Sequence, residues 1–210
     1  MAGPHAYSYR VADGSGLPHD PLNAIVGPRP IGWISTVSAT GARNLAPYSF
    51  FNAFNYHPPI IGFSSVGWKD SVANAEATGQ FVWNLATRAI AEKMNETSAS
   101  LPADGDEFVR GGLTPVPSIA VTPPRVLESP VNFECQLTQL IQLRDANGQD
   151  VESWLVLGEV IAVHIDEHLL VDGVYDTAAA HPILRAGGPA DYAEIVPDAM
   201  FAMERPDDSG

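Results

Sequence analysis

Residues 29–54, RPIGWISTVSATGARNLAPYSFFNAF, decide the fold of this chain. Their first part, IGWISTVS at 31–38, is rich in β-branched residues and partly alternates between apolar and polar side chains, which predicts a strand. The following ATGARN supplies turn residues, and NLAPYSFFNAF at 44–54 is predicted to return as a second antiparallel strand. We therefore expect a hairpin near the start of the chain.

Beyond this hairpin, the sequence predicts further strands with two helices between them. The prolines of HPP, residues 57–59, end the second strand because proline fits poorly in a central ladder. Capping signals place one helix at 70–78, with Asp70 or Ser71 as N-cap and Gly79 as its stop. The remaining predicted elements are strands at 60–65 and 81–85, a helix from Thr87 to Asn95, and strands at 131–143 and 152–166 joined by a turn at Asn147-Gly148.

This order of elements favours one domain built on an antiparallel barrel with inserted helices. The sequence shows no regular βαβ alternation, so a doubly wound sheet is not expected. Residues 102–130 are rich in Pro, Gly and Asp, which predicts a long excursion over the surface. Near the C-terminus we expect a short helix at 177–184 and disorder at 204–210.

The charge of the chain limits its partners. With 25 acidic and 11 basic residues, it carries a formal net charge of −14 and is expected to repel a nucleic-acid duplex and an anionic membrane surface. The apolar runs are too short for a membrane span. Its single cysteine, Cys135, cannot form an internal disulfide, and residues 1–10 do not resemble a secretory leader, so a cytoplasmic protein is expected.

Two motifs that suggest catalysis are interpreted as structural. HIDEH, residues 164–168, fits a zinc peptidase pattern that requires a helix. Here it ends a predicted strand, in which His164 and His168 would lie roughly 13 Å apart, so we expect exposed polar residues and no metal. Cys135 alternates with Phe133 and Leu137, which indicates a buried side chain rather than a nucleophile. The glycines form no dinucleotide-binding motif.

A phosphate site is predicted at the start of the helix at 70–78. A helix N-terminus presents unpaired N–H groups and a positive dipole end, and Lys69 and the Ser71 hydroxyl lie beside it. The alternative is an ordinary capped helix with a solvated lysine. Short hydroxyls at 35–38 and aromatic side chains at 48–52 would suit a planar heterocycle. Together these features indicate a phosphorylated aromatic cofactor.

The sequence resembles the flavin reductase-like family, whose members adopt the FMN-binding split β-barrel. The resemblance rests on RPIGWISTVSATGARNLAPYSFFNAFNYHPPIIGFSS and KDSVANAEATGQFVWNL, and extends through ESPVNFECQL and WLVLGEVIAVHID to HPILRAGGPADY. It implies a mainly β, antiparallel Greek-key barrel with inserted helices. It also implies a single domain over residues 1–210, with its core at about 20–195 and flexible termini.

The resemblance implies which residues hold the cofactor. The expected contacts with the isoalloxazine ring are Thr36, Val37 and Ser38 on one side and Ser49, Phe50, Phe51 and Asn52 on the other. The ribityl chain and phosphate would be carried by Ser64, Ser65, Lys69, Asp70 and Ser71, with Arg29 as a second cation for the phosphate. No side chain is expected to act as a catalytic acid or base.

By the same resemblance, the cofactor is FMN, with FAD as an alternative, and NADH or NADPH is the cosubstrate. The leading interpretation is an NAD(P)H:flavin reductase that passes a hydride to bound flavin and on to an acceptor, either a small molecule or a partner oxygenase. Homodimers are common in the family, so a homodimer is expected. The alternatives are an electron-transfer flavoprotein, a flavin-dependent oxygenase, and a non-catalytic flavin- or haem-binding module. Residues 102–130 are expected to cover the substrate side of the flavin, with Phe108 or Arg110 near the substrate.

Overall fold

A computed structural model describes residues 6–102 and 105–206, which form a seven-stranded antiparallel sheet surrounded by short helices and smaller strand pairs. The strands are β1 (Arg29–Pro30), β2 (Gly32–Val37), β3 (Arg43–Tyr48), β4 (Phe51–Asn55), β5 (Ile60–Val66), β6 (Gln80–Asn84), β7 (Pro115–Val116), β8 (Arg125–Val126), β9 (Val131–Arg144), β10 (Asp150–Ile165), β11 (Leu170–Val171), β12 (Val174–Tyr175), β13 (Ile183–Arg185) and β14 (Tyr192–Glu194). The helices are α1 (Leu22–Ile25), α2 (Asp70–Thr78), α3 (Ala91–Glu96) and α4 (Glu107–Gly111). Single 3-10 turns lie at Val11–Asp13, Arg88–Ile90, Glu167–Leu169 and Pro197–Ala199.

The large sheet has the strand order β3-β2-β6-β9-β10-β5-β4, and every pair in it is antiparallel. Its centre is the long hairpin of β9 and β10, whose turn contains Gly148 at a φ of +79°. A turn position with a positive φ favours glycine, and Gly148 occupies such a position. The turn predicted at Asn147-Gly148 is therefore confirmed. The predicted class, mainly antiparallel β with inserted helices, is also confirmed.

The first hairpin forms as predicted, but its second strand does not run on to residue 54. β3 pairs with β2 in the register Thr36 to Asn44, and Gly41 turns the chain at a φ of +89°. Ser49 and Phe50 then form a corner, after which β4 pairs with β5 at the opposite edge of the sheet. The prediction of one strand over 44–54 is wrong because apolar alternation cannot show that the chain changes its pairing partner.

The helix predicted at 70–78 is confirmed, although its N-cap differs from the prediction. Lys69, in an extended conformation, is the N-cap, and Asp70 and Ser71 are the first helical residues. Gly79 ends the helix with a left-handed φ of +70°, as expected. The next predicted helix begins as a 3-10 turn at Arg88 and continues as α3.

The short helix predicted near 177–184 is wrong. Residues 177–180 form a turn, and β13 follows it, paired with both β1 and β14. Pro182 explains the difference, because proline has no N–H to continue a helix. Part of the stretch predicted to be disordered, residues 207–210, lies outside the described residues, and 204–206 have no regular structure.

Two apolar clusters lie on opposite faces of the strands. One, inside the curl of the sheet, includes Phe63, Phe81 and Val156, and the other, under α3 and α4, includes Trp33 and Phe108. Phe108, which was expected near the substrate, is 1% exposed and is a core residue. Its burial therefore fixes the position of α4 on the sheet.

Residues 113–129 are held against the sheet by buried polar groups. The Glu134 carboxylate accepts the N–H groups of Ile119 at 2.8 Å and Ala120 at 2.6 Å, and lies 2.6 Å from His164 Nε2. Burial alone would raise the pKa of Glu134, but the Ile119 amide, His164 and the Ala120 amide together hold the pKa below its ordinary value. His164 thus differs from the exposed strand-end residue that was expected.

Cys135 is fully buried, as predicted, and burial raises the pKa of its thiol. This favours a structural rather than a nucleophilic role. None of the helices in residues 6–102 and 105–206 has the length and apolar character that a membrane-spanning helix needs.

Candidate functional site

An open cleft of about 780 Å³ lies where the first hairpin, the end of β5 and the start of α2 meet. Its further side is formed by residues 97–102, Gly105 and Glu107. Seven of the thirteen residues predicted to bind cofactor line this cleft: Ser38, Ser49, Phe50, Ser64, Lys69, Asp70 and Ser71. The fold thus brings together residues from four separate stretches of the chain.

The start of α2 presents polar groups to the cleft. The N–H groups of Val72 and Ala73 donate to the Lys69 carbonyl at 2.9 and 3.0 Å. The N–H groups of Asp70 and Ser71, the two residues directly before Val72, cannot be satisfied within the helix. Lys69 is exposed, and among the described residues no carboxylate lies within salt-bridge distance of it. This end of the cleft therefore suits an anion.

A buried hydrogen-bond network ties the start of α2 to the first hairpin. Asn44 Nδ2 donates to Ser71 Oγ at 2.8 Å and to Thr36 Oγ1 at 3.2 Å. Asn74 Nδ2 also donates to Thr36 Oγ1, at 3.1 Å. Thr36 is fully buried and does not line the cleft, so its hydroxyl positions the helix start through two amides.

Sequence reasoning missed Asn44 and Asn74, although two signals point to them. Asn44 lies opposite Thr36 in the hairpin register, and Asn74 lies one helical turn after Ser71. Tyr48 was named only as part of an aromatic cluster, and the structure places it in the cleft wall. Burial raises the pKa of the Tyr48 phenol, with partial compensation from the Ser71 and Ser65 hydroxyls, so the phenol is neutral at neutral pH.

The corner between β3 and β4 forms another wall of the cleft. Phe50 is 40% exposed, and its carbonyl accepts the Ser64 N–H at 2.8 Å. Arg29 holds the corner from behind: its Nε donates to the Ser49 carbonyl at 2.9 Å, and its guanidinium lies 5.4 Å from the centre of the Phe50 ring. An exposed aromatic face is thus fixed beside the polar helix start.

Arg29 is nearly buried and outside the cleft lining. Its Nη1 donates to the carbonyls of Asn23 and Val26, so the structure occupies this cation with backbone groups. Besides Arg29 and Thr36, four other predicted residues lie outside the lining. Val37 is buried, Phe51 stacks on Trp83 with ring centres 5.5 Å apart, Asn52 is exposed on β4, and Ser65 is buried with its hydroxyl 2.9 Å from the Gly67 carbonyl.

The contacts that form the side of the cleft opposite α2 were not predicted from the sequence. Arg43, on β3, forms an ion pair with Asp106, the N-cap of α4. Glu107 accepts the Leu45 N–H at 3.2 Å. Burial raises the pKa of Glu107, and the charges of Asp106 and Asp70 raise it further against two backbone hydrogen bonds. Of the described residues in the 102–130 excursion, Pro102, Gly105 and Glu107 line the cleft and the others do not.

Comparisons with known proteins point to one family. Residues 27–183 match the flavin reductase like domain. The Bacillus subtilis protein YwrF is 39% identical over 150 residues, which cover 70% of this chain and 73% of that protein.

Two solved structures are similar to the whole domain. Nitrilotriacetate monooxygenase component B from Bacillus cereus superposes with a TM-score of 0.79 at 32% identity, over 87% of this chain and 90% of that one. A flavin reductase-type protein with a split barrel domain from Shewanella frigidimarina superposes with a TM-score of 0.76 at 25% identity, over 88% and 89%. The split barrel predicted from the sequence is therefore confirmed.

Proposed function

The chain belongs to the flavin reductase-like family, and from this premise we propose that it is an FMN-dependent oxidoreductase that takes a hydride from a reduced nicotinamide. One observation carries the proposal: an open cleft joins a lysine at a free helix start to an exposed aromatic wall. A phosphate and a planar ring need these two surroundings in the same cleft.

The residues present fit the phosphate of FMN. Lys69 supplies a positive charge in a chain of net charge −14, and the amides of Asp70 and Ser71 supply donors. The Ser71 and Ser64 side chains also line this part of the cleft. Asn44 keeps the Ser71 hydroxyl in place by donating to it.

The residues also fit the ring and its polar edge. Phe50 offers an apolar face, while Ser38 and Ser49 offer hydroxyl and backbone groups at the same cleft. Thr36, Val37, Phe51, Asn52 and Ser65 would support these groups from behind. The proposed cofactor is FMN, and FAD remains the alternative because the cleft is open on one side.

When bound, FMN supplies the redox chemistry, and the chain binds it, orients it and limits the access of water. Backbone N–H or hydroxyl donors from residues 36–38 or 49–52 are proposed to stabilise negative charge on the ring. No side chain of the cleft is assigned as a catalytic acid or base. The neutral Tyr48 phenol contributes a hydrogen-bonding group without adding charge.

A homodimer is part of the proposal. β4 is an edge strand, and Phe54 on it is 53% exposed, while Tyr56 just beyond is 81% exposed. Val66 and Trp68, between β5 and α2, are 61% and 46% exposed. Apolar side chains on an open edge are usually covered by a partner. Light scattering during gel filtration should give twice the 22.4 kDa of one chain.

The electron acceptor is proposed to be a small molecule or a partner oxygenase. The second choice draws on the similar Bacillus cereus structure, which is component B of a monooxygenase. The rivals are an electron carrier that receives electrons from another protein, a flavin-dependent oxygenase, and a binding module without turnover. The acidic surface is compatible with a basic redox partner.

The visible absorbance of the FMN-loaded protein, mixed with NADH or NADPH without oxygen, tests the proposal. We expect flavin bands that bleach. Bands that persist with both nucleotides but bleach with a reduced electron-transfer protein would support the carrier instead. Bands that none of these reductants bleaches would support the binding module. The absence of flavin bands after FMN is added would refute the assignment of the cleft.

A further inference from the structure

The Arg29 guanidinium lies behind the corner formed by Ser49 and Phe50 and is almost enclosed by the chain. The residue is 9% exposed, and among the described residues no carboxylate lies within salt-bridge distance of it. A nearly buried charge needs other polar partners to offset the loss of water. The partners of this one are carbonyl oxygens and one aromatic face, so the cation and the corner hold each other in place.

Three of the five guanidinium N–H groups donate to carbonyls from two segments of the chain. Nε donates to the Ser49 carbonyl at 2.9 Å, and Nη1 donates to the carbonyls of Asn23, at 2.6 Å, and Val26. Asn23 belongs to α1 and Val26 directly follows that helix. The planar fork of Arg29 thus joins the chain before β1 to the residue after β3, which a lysine ammonium could not do with the same geometry.

The same guanidinium lies over one face of the Phe50 ring. Its Cζ is 5.4 Å from the ring centre, within the distance of about 6 Å for a cation–π contact. Phe50 lines the cleft, whereas Arg29 does not. The Phe50 carbonyl accepts the Ser64 N–H at 2.8 Å, so β5 fixes the backbone of the corner while Arg29 fixes its ring. The cation therefore reaches the cleft only through the corner.

We infer that Arg29 is a positioning residue for the ring of the flavin, an inference that rests on the proposed function. It holds the Ser49–Phe50 corner in the arrangement that supports a planar ring, so the ring meets a wall that is already ordered. It does not bind the phosphate, which is the role expected for it from the sequence. The two cations are divided between the two parts of the cofactor, with Lys69 at the phosphate and Arg29 behind the ring.

Riboflavin, which has the ring but no phosphate, separates these two roles. Dissociation constants of FMN and riboflavin are measured by the quenching of flavin fluorescence. Arg29→Lys keeps the positive charge but loses the fork, and we expect both constants to rise about tenfold with an unchanged ratio. Lys69→Met should raise the constant for FMN alone. A phosphate cation at position 29 would instead give a riboflavin constant that no substitution there changes.

Action through Phe50 also predicts that the two side chains are coupled. Arg29→Met should raise the dissociation constant of FMN clearly less in a Phe50→Leu background than in the unmodified protein. A general loss of stability would not produce this dependence on one ring. The comparison uses FMN only, so it decides the question even if riboflavin binds too weakly to be titrated. Arg29→Lys repeats it if the methionine variant folds poorly.

Arg185 offers a matched control, because it lies directly opposite Arg29 in the pair of β1 and β13. Its guanidinium also donates to backbone carbonyls, those of residues 187, 188, 189 and 191, and lies 5.2 Å from the centre of the Tyr192 ring. Arg185 does not line the cleft, and its hydrogen bonds in the described chain do not reach the corner. Arg185→Met should therefore leave both flavin constants unchanged, whatever it costs in stability.

The outcomes bear on different statements. A constant that rises for FMN but not for riboflavin in Arg29→Lys would overturn the inference and return Arg29 to the phosphate. Unchanged constants, effects of Arg29→Met and Phe50→Leu that simply add, or an equal effect of Arg185→Met would overturn it as well. Failure of the unmodified protein to bind FMN would instead overturn the proposed function. Equal rises for both flavins, coupled to Phe50 and absent in Arg185→Met, would support the inference.

Discussion

Thr36→Val tests whether one buried hydroxyl holds in place the start of α2, which is proposed to bind FMN. Valine has nearly the same shape as threonine, but it cannot accept the amide hydrogens of Asn44 and Asn74. Asn44 keeps its bond to Ser71 Oγ, whereas the Asn74 Nδ2 loses its acceptor in a site that is only 9% exposed. One orphaned buried donor costs about 1–3 kcal/mol, so we expect the free energy of unfolding to fall by about 2 kcal/mol.

The loss should be visible in both stability and binding. A decrease of about 2 kcal/mol corresponds to a midpoint of thermal unfolding lower by about 4–8 °C for a domain of this size. Urea titration of the protein without FMN measures the free energy. Because the start of α2 loses its bond to β2, we also expect FMN, titrated by its fluorescence, to bind about tenfold more weakly, equivalent to one bond of about 1.4 kcal/mol.

The control is Thr138→Val on β9, where the hydroxyl donates to the Leu157 carbonyl at an exposed position. Its cost should stay within about 0.5 kcal/mol, as for most surface substitutions. Asn74→Leu removes the donor itself, so Thr36→Val should cost clearly less in that background. Equal unfolding midpoints for the Thr36 and Thr138 variants, with unchanged FMN affinity, would refute the argument.

Three further predictions follow from single contacts. Lys69→Met should weaken FMN binding about tenfold and reduce the salt dependence of that binding, with the stability of the FMN-free protein unchanged. The control Lys93→Met should change neither the FMN affinity nor its salt dependence. Equal FMN affinities of Lys69→Met and the unmodified protein would remove Lys69 from the phosphate site. The stability that Glu134 contributes is present above its ordinary pKa of about 4.3 and is lost as the pH falls through the lowered folded-state value. Glu134→Gln should therefore lose less stability than the unmodified protein between neutral and acid pH, measured as the shift of the urea midpoint. Equal shifts of the two midpoints would contradict this. Gly158→Ala should destabilise by about 1–3 kcal/mol because the added Cβ would lie 2.6 Å from Phe81 Cζ in the core, and a calorimetric midpoint like that of the unmodified protein would show that the core can relax.

Much of the site could be predicted because its residues follow local rules. The helix from Asp70 to Thr78 has a free start next to Lys69 and a glycine stop, and both features depend only on nearby residues. The hairpin turn at Gly41 and the strand from Gly32 to Val37 follow from turn chemistry and β-branched residues in the same way. The resemblance to the family then connected these separate pieces into one predicted cofactor site.

Other features depend on contacts between distant parts of the chain, and no local pattern contains them. The break of the strand at Ser49 and Phe50 arises because β3 and β4 pair at opposite edges of the sheet. Phe108 was expected near substrate because its segment is long and rich in glycine and proline, but tertiary packing buries this side chain of α4 in the cluster that contains Trp33.

Charge pairing shows the same division. The sequence by itself determined the excess of acidic residues, the position of Lys69 just before a helix, and which of the main segments form strands and which form helices. Only the tertiary structure decided that Arg43 is neutralised by Asp106, 63 residues away, and that Arg29 is occupied by backbone carbonyls. The physical reason is that propensity and capping act over a few residues, whereas ion pairs, burial and the cleft depend on which distant segments the fold brings into contact.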